Sequence, residues 1–464
     1  MTVPVQTVQE VVGYYARLLE FRRRYLRVPG VQSAVYAGDR VLWSGAYGDA
    51  DVENRVALTD GHLFRIASHS KTFTATAVLQ LAEHGRLRLD DTAAVHVPEL
   101  AGTPVGDVVL RDLLSHTAGL TRDSVDGDFW QLDGDFPDHD RLGEILRAAE
   151  SSVLPANDRF KYSNIGYGLL GLVIEAASGS SYTDYVRKEI VQRLGLSDVG
   201  PELEPSRLGD YAVGYSALSY AGVRVPIEHV DTRALAAATG FYGTARDLVT
   251  YFSAHLLGDD RLLSDASKRL MQHPIWPVKV GDDDQRYGLG LSVVKIGERS
   301  YFGHGGGYPG HITRTLVDGE RRVAVSVLTN AIDGPALQLA QAFPKLLDLA
   351  TDAEAPAPEA TDLSRFTGRF FSLWGVGDIA LLGGRLYQLD PTLDDPAAEA
   401  VELEPVDDRT LRMAGKNGYG SYGELMTFEF DADGNVSSLR GNSGNTLRPI
   451  ASFELPERFR IRSR

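Results

Sequence analysis

The sequence predicts an α+β fold followed by a small β-barrel, and three observations predict it. Hairpin patterns occur at 31–48 and 285–330, whereas helical periodicity dominates residues 70–200 between them. A segment rich in proline, alanine and acidic residues follows at 351–362, and short β-like runs fill residues 363–464. We therefore expect an antiparallel sheet with helices in the first domain and a small barrel in the second.

The composition is that of a globular protein and excludes several classes of function. Of 464 residues, 43% are hydrophobic and 24% are charged, and we place a catalytic domain at 1–350 and a barrel domain at 363–464. The formal net charge of -16 argues against a nucleic-acid partner, because phosphates would be repelled. The chain has no cysteine, so disulfides, thiolate metal sites and cysteine nucleophiles are excluded.

The N-terminal residues predict a cytoplasmic protein. Residues 1–30 lack the basic region, continuous apolar core and cleavage site of a signal peptide. No run of about 18 apolar residues occurs anywhere in the sequence, so we expect no membrane partner. Residues 5–28 instead show the periodicity of an amphipathic helix, and Gly38-Asp39 then marks the turn of the first hairpin.

A candidate nucleophile and a candidate base lie at the start of the next predicted helix. Ser68 and Lys71 are three residues apart, which places a hydroxyl and an amine one turn apart on the same helix face. Phe73, Ala77 and Leu81 form the apolar stripe of that helix. The spacing is the one that a serine nucleophile and its lysine base require, although an SxxK motif alone also arises by chance.

The segment after this helix predicts a short helix and a loop. The stretch LLSHTAGL at 113–120 predicts a short helix that Gly119 closes. Residues 121–140 then carry seven aspartates around Trp130. Their spacing does not match a calcium-binding EF-hand loop, so we interpret the segment as a solvated lid and predict no metal.

A second candidate constellation is Tyr162-Ser163-Asn164. The triplet lies just before a strongly apolar helix predicted at 165–177. A turn at this point would direct the side chains of Tyr162 and Asn164 into one cleft. The alternative is that they are a packing residue and a helix cap.

A third candidate constellation is His304-Gly305-Gly306-Gly307. It precedes a hairpin predicted from the β-rich runs at 312–317 and 322–329, which surround the turn residues Asp318-Gly319. The missing side chains of the glycines would let the backbone of another molecule come close. A phosphate-binding loop is disfavoured, because neither a Lys-Ser/Thr pair nor a helix follows.

The three motifs, in this order, resemble the serine β-lactamase and penicillin-binding-protein superfamily. Within it they are similar to the class C β-lactamase, esterase and D-aminopeptidase branch, which carries SxSK, then YxN, then a KTG-type triplet often replaced by HxG. The stretches GTARDL at 243–248 and YGLGLSV at 287–293 extend the resemblance over roughly residues 8–345. The resemblance implies a β-lactamase-like antiparallel sheet built from both ends of the domain, with a helical lobe inserted and Ser68 at the junction.

The resemblance also implies an acyl-enzyme mechanism without a cofactor. Ser68 would attack a carbonyl group with Lys71 or Tyr162 as the base, and which of the two acts in each half-reaction stays open. Asn164 would orient Lys71 and the amide of the substrate.

The strand that carries the glycines would complete the site. The backbone N–H groups of Ser68 and Gly307 would hold the oxyanion, and Gly306 would lie beside them in the substrate-binding strand. Where β-lactamases and D,D-peptidases carry a lysine that contacts a substrate carboxylate, this chain has His304. A histidine is a weaker and pH-dependent carboxylate clamp, which favours ester or amide substrates over β-lactams.

These residues leave several functions open. The first is a hydrolase that cleaves a small-molecule or peptidyl ester or amide through Ser68. The second is a transacylase or peptide-cyclising thioesterase, which would need an amine or alcohol acceptor and could have a carrier protein as its partner. A true β-lactamase and a non-catalytic sensor rank below these two.

The C-terminal hundred residues predict a barrel of the kind called lipocalin-like. Turn signals at Gly383-Gly384 and Asp433-Gly434-Asn435 separate short β-like runs. Similar barrels are attached to relatives of D-aminopeptidase and to penicillin-binding-protein-type thioesterases that cyclise nonribosomal peptides. We expect this barrel to cover the active site rather than to hold a ligand.

Overall fold

The computed structural model describes residues 3–219, 222–280, 283–351, 362–414, 421–441 and 444–455. They form two compact units: one contains Arg27–Ala340, and the other contains Val3–Leu26 and the described part of Gln341–Arg464. The predicted linker at 351–362 falls almost entirely outside the described residues. The predicted domain boundaries therefore stay a prediction.

The first unit contains blocks of strands and of helices, whereas strands dominate the end of the second unit. The α-helices are α1 (Val5–Tyr25), α2 (Ser70–Glu83), α3 (Ala93–His96), α4 (Leu110–Leu114), α5 (His139–Arg147), α6 (Asn164–Ser178), α7 (Tyr182–Val186), α8 (Ala245–Ser253), α9 (Asp265–Gln272) and α10 (Ala336–Thr351). The strands of the first unit are β1 (Gly30–Ala37), β2 (Arg40–Asp51), β3 (Val56–Ala57), β4 (Phe64–Arg65), β5 (Gly214–Tyr215), β6 (Pro226–Ile227), β7 (Tyr242–Gly243), β8 (Trp276–Val280), β9 (Asp283–Tyr287), β10 (Ser292–Ile296), β11 (Arg299–Tyr308), β12 (His311–Asp318) and β13 (Val323–Thr329). Those of the second unit are β14 (Gly368–Ser372), β15 (Gly375–Leu382), β16 (Arg385–Leu389), β17 (Val401–Pro405), β18 (Thr410–Met413), β19 (Leu425–Phe430), β20 (Val436–Gly441) and β21 (Asn445–Pro449). Among the described helices, none is long and apolar enough to cross a membrane.

A nine-stranded antiparallel sheet organises the first unit. Its strand order is β3-β2-β1-β13-β12-β11-β10-β9-β8, so strands from both ends of the unit build one sheet, joined where β1 pairs with β13. Every residue of β1 and of β13 is buried, as in a strand that is covered on both faces. The Gly38-Asp39 turn has a positive φ at both positions, which gives the twist that a tight hairpin favours. The predicted α+β fold class, including the pairing that the resemblance implies, is confirmed.

Helix α2 lies at the centre of the helical part and is buried on every side rather than along one stripe. It packs against α6, and all of its residues from Ser70 to Leu81 are buried. The hydroxyl groups of Thr72 and Thr76 donate to the main-chain oxygens of His69 and Thr72, at 2.7 and 2.9 Å. Because short threonines satisfy their own hydroxyls in this way, the helix tolerates burial of its polar face.

The elements on either side of the YSN triplet differ partly from the prediction. Helix α6 begins where expected, because Ser163 caps it by accepting the N–H of Gly166 at 3.0 Å. Helix α4 ends at Leu114, earlier than the predicted closure at Gly119. The chain turns first at His116, whose φ is 59°, and a Cβ atom added to Gly119 would lie 2.0 Å from the main-chain oxygen of Leu154.

The second unit contains a closed barrel of eight antiparallel strands, β14 to β21, which confirms the predicted barrel. Apolar side chains from successive strands fill its interior; they include Phe366, Phe370, Ile379, Leu386, Leu403, Leu411, Met426, Phe428 and Leu439. Helix α1 belongs to this unit: the Tyr14 hydroxyl donates to Asp378 at 3.0 Å, and Arg369 donates to both carboxylate oxygens of Asp378 at 2.7 Å. The finer description as lipocalin-like stays a prediction.

Candidate active site

Ser68 lies on a sharp turn at the entrance of α2. The turn is one 3₁₀ segment, Ala67–His69, that runs directly into the helix, so Ser68 is near a helix N-terminus as predicted. Ala67 has a φ of 49°, a left-handed conformation that residues other than glycine rarely adopt. The Ser70 hydroxyl fastens the turn by donating to the main-chain oxygen of Ala67 at 2.6 Å. Ser68 itself is half-buried, whereas its neighbours on both sides are buried.

The amine of Lys71 is fully buried beneath Ser68 and contacts three oxygen atoms. Its Nζ lies 3.3 Å from Ser68 Oγ, 2.8 Å from Asn164 Oδ1 and 2.8 Å from the main-chain oxygen of Ala238. The helical spacing of Ser68 and Lys71 therefore brings the two side chains together as predicted. Ala238 had no sequence signal, because a main-chain oxygen can belong to any residue.

Burial sets the protonation of Lys71. It lowers the pKa of the amine well below its usual value, because a charged amine without water is costly, and the guanidinium of Arg122 lowers the pKa further. The carboxylate of Asp123 acts in the opposite direction. The amine thus reaches its neutral form at a lower pH than a lysine in water.

Tyr162 contacts Ser68 from the more exposed side. Its hydroxyl donates to Ser68 Oγ at 2.9 Å, and its ring lies 4.7 Å from Lys71 Nζ. Burial raises the pKa of the Tyr162 phenol to about 12, although the hydrogen bond to Ser68 works against that rise. The phenol is therefore protonated at neutral pH.

Asn164 connects Lys71 to a residue of the aspartate-rich loop. Its Nδ2 donates to Asp123 Oδ1 at 2.7 Å, while its Oδ1 faces Lys71. The indole N–H of Trp130 donates to the same oxygen of Asp123, also at 2.7 Å. Asp123 was missed because the loop was expected to be a solvated lid, and nothing in its sequence distinguishes one inward-turned aspartate from the other six.

His304 is buried, and both of its ring nitrogens have partners. Its Nε2 lies 2.9 Å from the hydroxyl of Tyr287, and its Nδ1 lies 2.6 Å from the main-chain oxygen of Gly305. Burial lowers the pKa of His304 well below its usual value, and nearby His69 adds to that effect. The ring is neutral at pH 7, and this arrangement argues against the pH-dependent carboxylate clamp expected at this position. Tyr287 lies in the YGLGLSV stretch, but its role as the partner of His304 was missed.

The glycine strand β11 passes directly against the Ser68 turn. A Cβ atom added to Gly306 would lie 2.2 Å from the main-chain oxygen of Ile66, two residues before Ser68. Gly307 is exposed, and its place next to the two-residue turn between β11 and β12 directs its N–H away from β12. Only glycine at 306 permits this approach of strand and turn.

His116 supports Tyr162 from below. Its Nδ1 accepts the N–H of Ser163 at 3.1 Å, and its ring centroid lies 4.1 Å from that of Tyr162. Burial, and next the charge of Lys71, lower the pKa of His116 well below its usual value, so the ring is neutral. A neutral ring packed under the phenol fixes Tyr162 without adding a charge.

The structure brings Ser68, Lys71, Tyr162 and Asn164 together and places the glycines of β11 beside the same turn, but their catalytic roles stay predictions. Within the described ranges, no cluster of three or more histidine, aspartate or glutamate side chains could hold a metal ion.

Comparisons with known proteins agree with this geometry. Residues 16–343 match a family model described as Beta-lactamase. Penicillin-binding protein 4* of Bacillus subtilis (strain 168) is 30% identical over 315 residues, which are 65% of this chain and 68% of that protein.

Two groups of solved structures are similar over much of the chain. A crystal structure of SurE superimposes with a TM-score of 0.62 at 26% sequence identity, and the match covers 96% of this chain and 99% of SurE. A second SurE structure contains D-Leu. The D-amino acid amidase from Ochrobactrum anthropi SV3 has a TM-score of 0.58 at 26% identity over 69% of this chain and 92% of the amidase. Together with the family, these neighbours indicate an enzyme of the serine hydrolase type. The family model and the 30% identical relative confirm the resemblance, and the chain belongs to the β-lactamase family within the serine β-lactamase and penicillin-binding-protein superfamily.

Proposed function

We propose that this protein is a serine hydrolase that forms an acyl-enzyme on Ser68 and cleaves an ester or amide bond. The observation that carries the proposal is that Ser68 Oγ lies 3.3 Å from the Lys71 amine and 2.9 Å from the Tyr162 hydroxyl. A serine hydroxyl is a weak nucleophile, so it needs a base within hydrogen-bond reach and an acid for the leaving group.

The hydrogen bonds around the Lys71 amine favour Lys71 as the base for acylation. The oxygens of Asn164 and Ala238 can only accept, and both lie 2.8 Å from Nζ. A neutral amine has two protons, which these two oxygens take, so the lone pair is left for the hydroxyl proton of Ser68. Since burial lowers the pKa of Lys71 well below its usual value, the neutral form is reached at a lower pH than for a lysine in water.

Tyr162 then serves as the proton donor to the leaving group. Its phenol is protonated because burial raises its pKa to about 12, and it already donates to Ser68 Oγ. Tyr162 is half-buried whereas Lys71 is fully buried, so a substrate that enters from solvent meets the tyrosine. The proton taken from Ser68 stays on Lys71 while the phenol of Tyr162 gives its proton to the leaving amine or alcohol. In deacylation, water attacks the acyl group and gives a proton to the Tyr162 phenolate, and Lys71 returns its proton to Ser68 Oγ.

The oxyanion that forms in both steps would be held by backbone donors. The N–H groups of Ser68 and Gly307 are the proposed pair, and the close approach of β11 to the Ser68 turn supports it. Such donors lower the activation barrier because they are in place before the negative charge develops. One donor contributes about 3 kcal/mol.

The named neighbours suggest the first substrates to test. One is a D-amino acid amidase, and SurE has been crystallised with D-Leu. We therefore propose amides or esters of D-configured amino acids as the substrate class. A neutral His304 adds no positive charge for a substrate carboxylate, which is consistent with amides and esters.

Turnover measurements test this function. Hydrolysis of D-phenylalanine amide, L-phenylalanine amide and p-nitrophenyl acetate would be followed for the wild type and for Ser68→Ala. We expect turnover of the ester and of the D-amide by the wild type only. Addition of an amine acceptor would reveal a transacylase through a new amide product. Equal rates for wild type and Ser68→Ala would contradict the proposal.

A further inference from the structure

One carboxylate outside the three motifs accepts a hydrogen bond from the side-chain amide of Asn164. Asp123 Oδ1 accepts two hydrogen bonds of 2.7 Å, from the Asn164 amide and from the Trp130 indole. The Asp123 side chain is only 14% exposed, although it belongs to a loop of mostly exposed aspartates. Its position is therefore set by partners that belong to the site and not by solvent.

The donor and acceptor chemistry of these groups allows one orientation of the Asn164 amide. An ionised carboxylate can only accept, so the NH₂ group of Asn164 must face Asp123. The amide oxygen must then face Lys71, where it lies 2.8 Å from Nζ. If the amide turned over, its NH₂ group would face the amine and compete for the lone pair that Ser68 needs.

A second charge of opposite sign lies next to Asp123. The guanidinium of Arg122 lies 4.9 Å from the ring centroid of Tyr162, and its Nε is 3.5 Å from Asp123 Oδ2. The main-chain oxygen of Arg122 also accepts the N–H of Asn164 at 2.6 Å. The two residues thus contact the Asn164 backbone, the Asn164 side chain and the Tyr162 ring.

We propose that Asp123 and Arg122 form a positioning pair for Lys71, in which Asp123 holds the Asn164 oxygen toward the amine and the two charges act on that amine with opposite sign. The inference rests on the proposed function for its catalytic meaning, but the orientation and the charge effect can be measured without turnover. Neither residue reaches the reacting atoms: Asp123 acts through Asn164, and Arg122, which lies against Asp123 and the Tyr162 ring, acts on Lys71 through its charge.

The other groups around Lys71 do not supply this pair of charges. Asn164 and Ala238 are neutral. Five other polar or titratable side chains face the amine: Ser68 from the turn before α2, Tyr167 from α6, Tyr162 from the loop before α6, His116 from the turn after α4 and His304 from β11. Burial raises the pKa of both tyrosines and lowers the pKa of both histidines, so all of these groups are neutral at pH 7.

Two substitutions separate the charge of Asp123 from its hydrogen bonds. Asp123→Asn keeps an oxygen for the donors of Trp130 and Asn164 but removes the charge. Asp123→Ala removes both. Arg122→Gln removes the opposite charge, and Asp133→Asn is the matched control, because Asp133 is an exposed aspartate of the same loop.

The test is a titration of the Lys71 amine by NMR in the full-length chain labelled with [6-¹³C]lysine, with the Lys71 signal assigned by its loss in Lys71→Arg. We expect the midpoint to move down in Asp123→Asn and up in Arg122→Gln, each by about half a pH unit. Asp133→Asn should leave it in place because exposed charges are screened. Unchanged midpoints in both variants, or shifts of the same sign, would overturn the inference.

Labelling kinetics provide the second measurement and separate this inference from the proposed function. We expect Asp123→Ala to react with a neutral fluorophosphonate about 10- to 100-fold more slowly than the wild type. At a pH where the labelling rate no longer changes with pH, Asp123→Asn should react at a rate within a few-fold of the wild-type rate. Thermal unfolding shows whether each variant is folded. If Asp123→Ala does not fold, the titration midpoint of Asp123→Asn alone tests the inference. A wild type that does not react at all would refute the proposed function, whereas the NMR midpoints would still decide the inference.

Discussion

The Oδ1 atom of Asn164 and the Nζ atom of Lys71 lie 2.8 Å apart, and that contact joins two motifs separated by 93 positions in the chain. The main-chain oxygen of Ala238 takes the other amine proton at the same distance. The remaining direction of the amine faces Ser68 at 3.3 Å. In the proposed mechanism the SxxK motif supplies the base, and the oxygens of Asn164 and Ala238 orient the amine of Lys71.

Lys71→Met tests the role of the amine. Methionine fills a similar volume but has no basic nitrogen, so we expect kcat/KM for an ester substrate to fall by about 10²- to 10⁴-fold. In the wild type, activity should rise with pH as Lys71 loses its proton. Because burial lowers the pKa of Lys71, this rise should be complete well below the pH at which a lysine in water titrates. Unchanged kinetics in a folded Lys71→Met variant would exclude Lys71 as the base.

Tyr162→Phe tests the proposed proton donor. The substitution keeps the ring that packs on His116 and removes only the hydroxyl that donates to Ser68. We expect kcat to fall by about 10²-fold or more for an amide, and by less for an activated ester, whose leaving group needs little protonation. Equal losses for both substrates would show that the hydroxyl does not protonate the leaving group.

Gly306→Ala tests the close approach of β11 to the nucleophile. The added Cβ would meet the main-chain oxygen of Ile66 at 2.2 Å and the hydroxyl oxygen of Thr313 at 2.5 Å. Backbone must move to relieve that overlap, so we expect a loss of about 1 to 3 kcal/mol in the free energy of unfolding. We also expect kcat/KM to fall by about 10²-fold or more, because the oxyanion donors shift.

The matched control is Gly307→Ala. A Cβ atom at Gly307 would find Ile312 at 3.6 Å as its nearest neighbour, which is ordinary contact. We expect a free energy of unfolding within about 0.5 kcal/mol of the wild type. Thermal unfolding of both variants measures the difference, and a Gly306→Ala variant as stable as Gly307→Ala would contradict the packing described.

Buried neutral histidines predict a loss of stability in mild acid. Burial lowers the pKa of His69 to about 3 and that of His255 to about 4, and it lowers the pKa values of His116, His304 and His311 as well. In the unfolded chain these side chains bind protons near pH 6.5, so the unfolded state gains protons that the folded state does not. The free energy of unfolding should therefore fall as pH drops below about 6.5.

Urea unfolding at pH 7.5 and pH 5.0 measures this loss. His255 lies outside the site, where its Nε2 and the Thr76 hydroxyl are 2.9 Å apart. His255→Gln should reduce the dependence of stability on pH, because one titrating group is gone. A stability that is equal or higher at pH 5.0 in the wild type would be inconsistent with neutral buried histidines.

Local patterns were sufficient for part of the site. Ser68 and Lys71 are three residues apart across a 3₁₀ turn that runs directly into α2, so the local spacing alone predicts that the two side chains meet. The hairpin between β1 and β2 is equally local, because both turn residues can adopt a positive φ. The approach of Tyr162 to Ser68, across 94 positions, followed only from the resemblance to a known family.

The parts that could not be predicted depend on long-range contacts. The loop at 121–140 has the composition of a solvated segment, and only the fold brings Asp123 to Asn164 and Trp130. His304 lies on β11 as expected, but its lowered pKa follows from burial and from nearby His69, which periodicity cannot reveal. Likewise, the amphipathic pattern predicted α1 as a helix without showing that it belongs to the same unit as the barrel.

Intact-mass spectrometry tests most directly whether Ser68 is acylated. The wild type, Ser68→Ala and Lys71→Met would be incubated with a fluorophosphonate and then mapped by peptide sequencing. We expect one adduct on Ser68 in the wild type, none in Ser68→Ala, and labelling of Lys71→Met slower by about 10²-fold or more. A wild type without an adduct, or with an adduct on a residue other than Ser68, would contradict the proposed acylation of Ser68.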